Sequence, residues 1–274
     1  MVAGALADLL YKRVQNQGIN AASFIFIQAS VFTTVIWIAV FLIGDSAGIV
    51  PATWQYGLLN GVINYVGLFL FVSSLKDGEA SVNVPIFRLN FVVTALGAVV
   101  FLGEAASPYK GLGLVLAMGS VLSLVDMGAI RRGTVRGRSY LSLLIGLAAF
   151  GVTGVLAKKA MLEGSGAITL VAFQSITFAF CAFLNARFVM GISLERRVIT
   201  WAPVMGGIQL SWAVMLFEAM RRGEASISYP IVQLSFVLTA ILAVFTLREV
   251  LTKGKAIGLV LASLAVLAFT YTAG

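Results

Sequence analysis

Arg88 stands three residues after Pro85 inside an apolar run, and no other side chain in this sequence sits in a place that so demands a purpose. An arginine within a lipid-like stretch is costly, and by default it marks a functional site. Its planar guanidinium offers a two-pronged donor face suited to a carboxylate or another anion. The competing reading is that it snorkels to a headgroup, since only ~10 Å of helix separates it from the Ser81 end. The residue 145 positions on is Gln233, also polar, which favours a lined cavity over a lone anchor. Tyr229 lies four residues before Gln233 and so shares its helix face. Elsewhere Gly57, Asn60, Gly61 and Asn64 fall on one helical stripe, as Gly206, Gln209 and Trp212 do on another. Gln28 and Gln174 are polar positions in two further apolar runs. For the asparagine stripe, close packing with interhelical hydrogen bonds competes with substrate contact. Asp8 is a proton-coupling candidate, because a carboxylate in lipid can take up and release protons. Lys12, four residues on, is spaced to pair with it instead.

Other chemistries lack their residues. The chain contains no histidine, which removes Ser-His-Asp and Cys-His catalysis and histidine-ligated metals. It has no phosphate-binding G-x-x-x-x-G-K-[ST] loop and no acidic pair within a span. The single cysteine, Cys181, has no disulfide partner and reads as a small packing residue. We therefore expect no catalytic residue, no metal and no cofactor. Glu104 and Glu249, in Leu102-Gly103-Glu104 and Leu247-Arg248-Glu249, read as turn residues at the membrane edge.

The elements that must position these residues follow from composition. The 274 residues are 60% hydrophobic and 11% charged, well short of the charged quarter that a soluble domain carries. Apolar runs of about 20 residues recur, the length that spans a ~30 Å hydrocarbon core as a helix. Ten segments are expected, at 1–13, 21–43, 53–75, 82–102, 109–126, 140–162, 167–190, 201–220, 227–247 and 256–272. The chain thus reads as an all-α membrane protein of ten transmembrane helices. The first is short: twelve or thirteen residues reach only ~20 Å, so either the start is truncated or the helix tucks against its neighbours. Residues 1–13 lack the basic leader of a cleavable signal peptide.

The sequence also repeats itself. Residues 78–117 and 223–262 align at an offset of 145, with about half of the forty positions identical. This divides the chain into a five-helix repeat at 1–126, an Arg-rich connecting loop at 127–139 and a second five-helix repeat at 140–274. An odd number of spans per repeat turns the copies upside down relative to one another, the inverted-repeat plan of many secondary transporters. Ser81 and Ser226 are expected N-caps, and Pro85 and Pro230 either open the backbone of their helices or sit in tolerant first turns. Gly113 with Ala117, and Gly258 with Ala262, read as packing positions. The net charge of +8 reads as topology and lipid contact, not nucleic-acid binding. Thirteen Lys and Arg fall in odd-numbered loops and five, among them Lys110, Lys158 and Lys159, in even ones, which puts the central loop in the cytoplasm and both termini outside.

Two five-helix halves, each with an Ala-Ser stretch before a proline helix, an L-[GR]-E turn and a glycine-rich last helix, resemble the EamA-type branch of the drug/metabolite transporter superfamily. The resemblance covers nearly the whole chain. It implies ten helices, an inverted repeat, a central cavity, and movement of small metabolites such as amino acids, bases or drugs without ATP. Cytoplasmic termini would be usual there, against the charge count here, and Arg248 replaces the glycine of the second turn. The expected function is a secondary transporter or exporter of amino-acid-like, carboxylate-bearing metabolites across the plasma (bacterial inner) membrane. Asn64, Arg88, Gln209, Tyr229 and Gln233 would line its site, backed by Asn60, Gln28, Gln174 and Trp212. A lipid or lipid-linked-sugar flippase of the same fold is the alternative. Its partners are then a small-molecule substrate and the lipid bilayer, with a homodimer left open.

Overall fold

The structure, a computed structural model, describes residues 20–43, 49–77, 80–125, 137–235 and 252–271. Among these residues the regular elements are all helical. They are α1 (Ala21–Ile43), α2 (Pro51–Asp77), α3 (Ala80–Arg88), α4 (Asn90–Leu102), α5 (Pro108–Leu122), α6 (Gly137–Leu162), α7 (Ala167–Asn185), α8 (Arg196–Arg222), α9 (Ala225–Gln233) and α10 (Lys253–Thr270). A π-helical stretch, Ala186–Met190, extends α7. Seven helical stretches among the described residues are long and apolar enough to cross a bilayer, and Pro108–Leu122 is apolar but shorter. The chain is a multi-pass membrane protein of all-α class. The expected span at 1–13, with Asp8, lies outside the described residues, as does most of the ninth, after Ser235.

Local chemistry sets the helix ends. Gly103 closes α4 in the left-handed conformation (φ 71°), with its N–H bonded to the Ala98 carbonyl. Ser107 then caps α5 by accepting from the Tyr109 N–H, with Pro108 at the first helical position. Thr252 caps α10 in the same way through the Lys255 N–H. The cap expected at Ser226 is not found: Ser226 is the second residue of α9, whose cap residue is Glu224. The cap expected at Ser81 falls beside residues outside the described ones.

The chain forms two compact units, and each draws on both halves of the sequence. Residues 1–65 and 156–222 make one unit. In it α1 packs against α7 and α8, around a core of Phe24, Val198, Ala202 and Met205 joined by Ile27, Trp201 and Ile208. Lipid supplies no hydrophobic drive between helices, so their association depends on close backbone approach at small residues. At Gly206 an added Cβ would stand 2.8 Å from the Gln28 carbonyl of α1. At Gly61 it would stand 2.1 Å from the Thr177 hydroxyl and 2.2 Å from the Gln174 carbonyl of α7. The packing expected of the Gly57/Gly61 stripe is therefore present, against α7.

Residues 66–155 and 223–274 make the other unit. Here α5 and α10 pair closely, and α9 lies on α4. Gly113 faces the Phe269 ring, and Gly258 faces Ser120 and Ser123, so the packing expected of both glycines is present. Ser120 and Ser123 donate to the carbonyls of Gly258 (2.6 Å) and Gly254 (3.1 Å), which adds interhelical hydrogen bonds to the close contact. Large apolar side chains such as Phe41, Val100 and Phe101 remain exposed, as lipid-facing positions would be.

Candidate functional site

Both proline helices break at the same residue. α3 ends at Arg88, and Leu89 (φ −66°, ψ 0°) separates it from α4. α9 ends at Gln233, where Leu234 takes nearly the same conformation (φ −72°, ψ 6°). Leu89 and Leu234 are 145 residues apart and so are equivalent in the repeat. Pro85 and Pro230 stand inside the helices, not in their first turns. A proline disturbs the turn before it, so a break four residues after it is a separate feature. The chain tightens there: the Leu89 N–H bonds the Ile86 carbonyl at 3.0 Å, and the Val92 N–H bonds the Leu89 carbonyl at 2.9 Å. Arg88 and Gln233 are thus each the last residue of a helix, immediately before a break.

A buried polar cluster forms at this break in the second unit. The Gln233 Nε2 donates to Asn90 Oδ1 at 3.0 Å, joining α9 to α4. The Asn90 Nδ2 in turn donates to the Phe87 carbonyl at 2.8 Å, occupying an acceptor at the interruption. The Tyr229 hydroxyl interacts with the side chains of Gln233 and Thr94. Thr94 Oγ1 donates to the Gly151 carbonyl of α6 at 2.7 Å. Gly151 and Gly154 admit this contact: a Cβ at 151 would lie 2.6 Å from the Asn90 carbonyl, and one at 154 would lie 3.0 Å from Tyr229 Cε2. Asn90, Thr94, Tyr229 and Gln233 are all buried. Beside them Phe87 stacks on Phe71 (ring centroids 4.1 Å apart) and meets Phe150 edge-on (5.2 Å). Arg88 is half-buried. The cluster is polar but uncharged, held by hydroxyl and amide groups whose donors and acceptors are directional.

The remaining candidates lie in the first unit. Asn60 is fully buried, and its Nδ2 donates to Gln174 Oε1 at 3.2 Å, a hydrogen bond across α2 and α7. Its Oδ1 has no partner among the described residues. Asn64, Gln28, Gln209 and Trp212 are half-buried. Aromatic pairs accompany them: Tyr65 with Phe178 (5.5 Å) and Trp37 with Phe173 (5.3 Å), both edge-on. Of the nine residues expected to line a site, the structure therefore joins Gln233 to Tyr229 and Asn60 to Gln174 by side-chain contact. Asp8 lies outside the described residues.

Several charged residues behave differently from their sequence reading, among them Lys110, expected in a loop but a buried residue of α5. Lys158 and Lys159 are not loop residues but lie in α6, and Lys158 is buried with its Nζ donating to the Met220 carbonyl at 2.7 Å. The long lysine stem lets the ammonium reach the Met220 carbonyl in the last turn of α8. Glu104 does more than shape its own turn, because both carboxylate oxygens accept backbone N–H groups of α9. Asn90 and Thr94 were not among the expected site residues. The sequence does hold a signal for Thr94: it is a polar position inside a span that is identical in the other copy, at Thr239.

The profile of the EamA-like transporter family matches residues 1–125 and 137–271, one match in each half of the chain. An uncharacterised protein of Methanocaldococcus jannaschii is 23% identical over 122 residues, which cover 44% of this chain and 89% of that protein. One protein of known crystal structure superimposes with a TM-score of 0.74 at 16% identity, covering 99% of this chain and 98% of its own, a likeness of fold.

Proposed function

The chain belongs to the EamA-like transporter family, and from that premise we propose that it is a secondary transporter of small, carboxylate-bearing metabolites of amino-acid type, working by alternating access in the plasma membrane. The family is one of membrane transporters of small molecules, so the reading is not an enzymatic one. The observation that carries the substrate class is the matched pair of breaks at Leu89 and Leu234, each directly after a polar residue, Arg88 or Gln233. Interrupted helices bring polar side chains to the place where a transporter of inverted-repeat plan binds its cargo. One copy supplies a cation there and the other an amide. A substrate with one carboxylate and neutral hydrogen-bonding groups matches that asymmetry, and a symmetric cation does not.

The test is uptake of a 14C-labelled amino-acid mixture into proteoliposomes. Arg88→Gln, which copies the other repeat, removes a charge-assisted contact worth ~1.5–3 kcal/mol, so uptake of the label at limiting concentration should fall roughly tenfold or more while the protein still inserts. Equal uptake by the variant and the parent would remove Arg88 from the site. Accelerated transbilayer movement of a fluorescent phospholipid, with no uptake of the label, would replace this reading with lipid flipping.

A further inference from the structure

We propose that Glu104 is a positioning residue for the polar cluster: its carboxylate clamps the first amides of α9 and so holds the helix that carries Tyr229 and Gln233. The proposal rests on the transport reading for its consequence, but the clamp itself is geometric. Glu104 Oε1 accepts from the Ala225 N–H at 2.7 Å and Oε2 from the Ser226 N–H at 2.9 Å. These are two of the amides that a helix start leaves without an internal partner. The cap residue of α9, Glu224, makes no side-chain capping bond, so the carboxylate from the other repeat takes over that task. A negative charge at this end also complements the helix dipole.

α9 needs the help. It is nine residues long with Pro230 inside, so it forms few internal hydrogen bonds of its own. Residues 225 to 233 span only ~12 Å at 1.5 Å each, so the orientation of its first turn is passed directly to Tyr229 and Gln233.

The clamp is itself held. Gly103 turns the chain in the left-handed conformation, and the Glu104 N–H bonds the Ala98 carbonyl at 3.3 Å. The buried Lys110 Nζ donates to the Ala105 carbonyl at 2.6 Å and pairs with the Glu224 carboxylate. The Leu102-Gly103-Glu104 turn of one repeat thereby fixes the start of the short helix in the other, which gives that sequence pattern a physical role. Glu249 and Lys255 repeat the residue types, but Glu249 lies outside the described residues.

Amide exchange on the full chain in lipid nanodiscs tests the clamp without a substrate. In Glu104→Gln and Glu104→Ala, exchange across residues 225–233 should rise roughly tenfold or more, as expected for the loss of charge-assisted bonds, while α1 exchanges as before. Glu104→Asp, which keeps the charge, should exchange more slowly than either. No rise in the Gln and Ala variants overturns the clamp, and a rise confined to residues 225 and 226 overturns the positioning. In proteoliposomes the same Gln variant should raise KM for the 14C-labelled amino-acid mixture more than it lowers the maximal rate. Raised exchange with an unchanged KM also overturns the positioning. If the parent protein moves none of the label, the substrate class fails, and the exchange result still decides the clamp.

Discussion

The bond between Gln233 and Asn90 can be weighed before it is measured. Its donor and acceptor are 3.0 Å apart, both residues are buried, and it joins α9 to α4 in the second unit. In water-soluble cores, stranding one buried partner costs ~1–3 kcal/mol. In lipid the unfolded reference state also finds partners, and measured interhelical bonds average ~0.6 and reach ~1.7 kcal/mol. The pair is neutral but serves a second contact, since Gln233 also interacts with Tyr229, which places the expectation in the upper part of that range. Gln233→Leu keeps the apolar volume and strands Asn90 Oδ1, so we expect it to lower stability by ~1–2 kcal/mol. Asn90→Leu removes the donor to the Phe87 carbonyl as well and should cost at least as much. The double variant loses the bond only once, so the coupling between the two sites should be ~1 kcal/mol. Equilibrium unfolding in bicelles measures all three. A coupling within error of zero would refute the bond, whatever the cost of the single substitutions.

Other substitutions test the packing and the turns. Gly61→Ala should destabilise by ~1–3 kcal/mol in the same assay, because its Cβ would fall 2.2 Å from the Gln174 backbone oxygen. Gly111→Ala and Gly207→Ala, with nothing within 4 Å of the new atom, should be neutral or gain up to ~1 kcal/mol of helix propensity. Gly103→Ala also meets open space, but its φ of 71° is strained for any side chain, so a cost of ~1–2 kcal/mol is expected from backbone conformation alone. Thr94→Val keeps the shape and removes the 2.7 Å bond to the Gly151 carbonyl, a loss of ~1 kcal/mol that unfolding curves should show.

What could be read from the sequence, and what could not, divides along a physical line. The extent of α1 is legible to the residue because lipid enforces one length on an apolar run, and 21–43 satisfies it with no charged residue inside. The glycine stripes were legible because backbone contact between membrane helices needs small residues, whichever neighbour provides the contact. The break at Leu89 was not, because leucine is a strong helix former and nothing in its type announces an interruption. What marks the break is polarity on either side of it, Arg88 and Asn90 in one copy, Gln233 and Ser235 in the other. Asn90 is not marked by the sequence because its partner lies 143 residues away, and pattern within a span cannot say which side chain will complete a hydrogen bond. Lys158 failed for the same reason in reverse. A charge near the end of the expected span 140–162 counts with the loop cations, yet the acceptor that lets it be buried, the Met220 carbonyl, belongs to a helix end that sequence spacing does not bring near. Periodicity therefore finds the elements and the small residues between them, while the polar groups that organise the site are fixed by partners far along the chain. In this protein the repeat is the one signal that narrows that distance. A polar residue kept in both copies inside an apolar run, as at Thr94 and Thr239, is answerable to the fold or the cargo, and reading the two copies against each other selects it before any coordinates do.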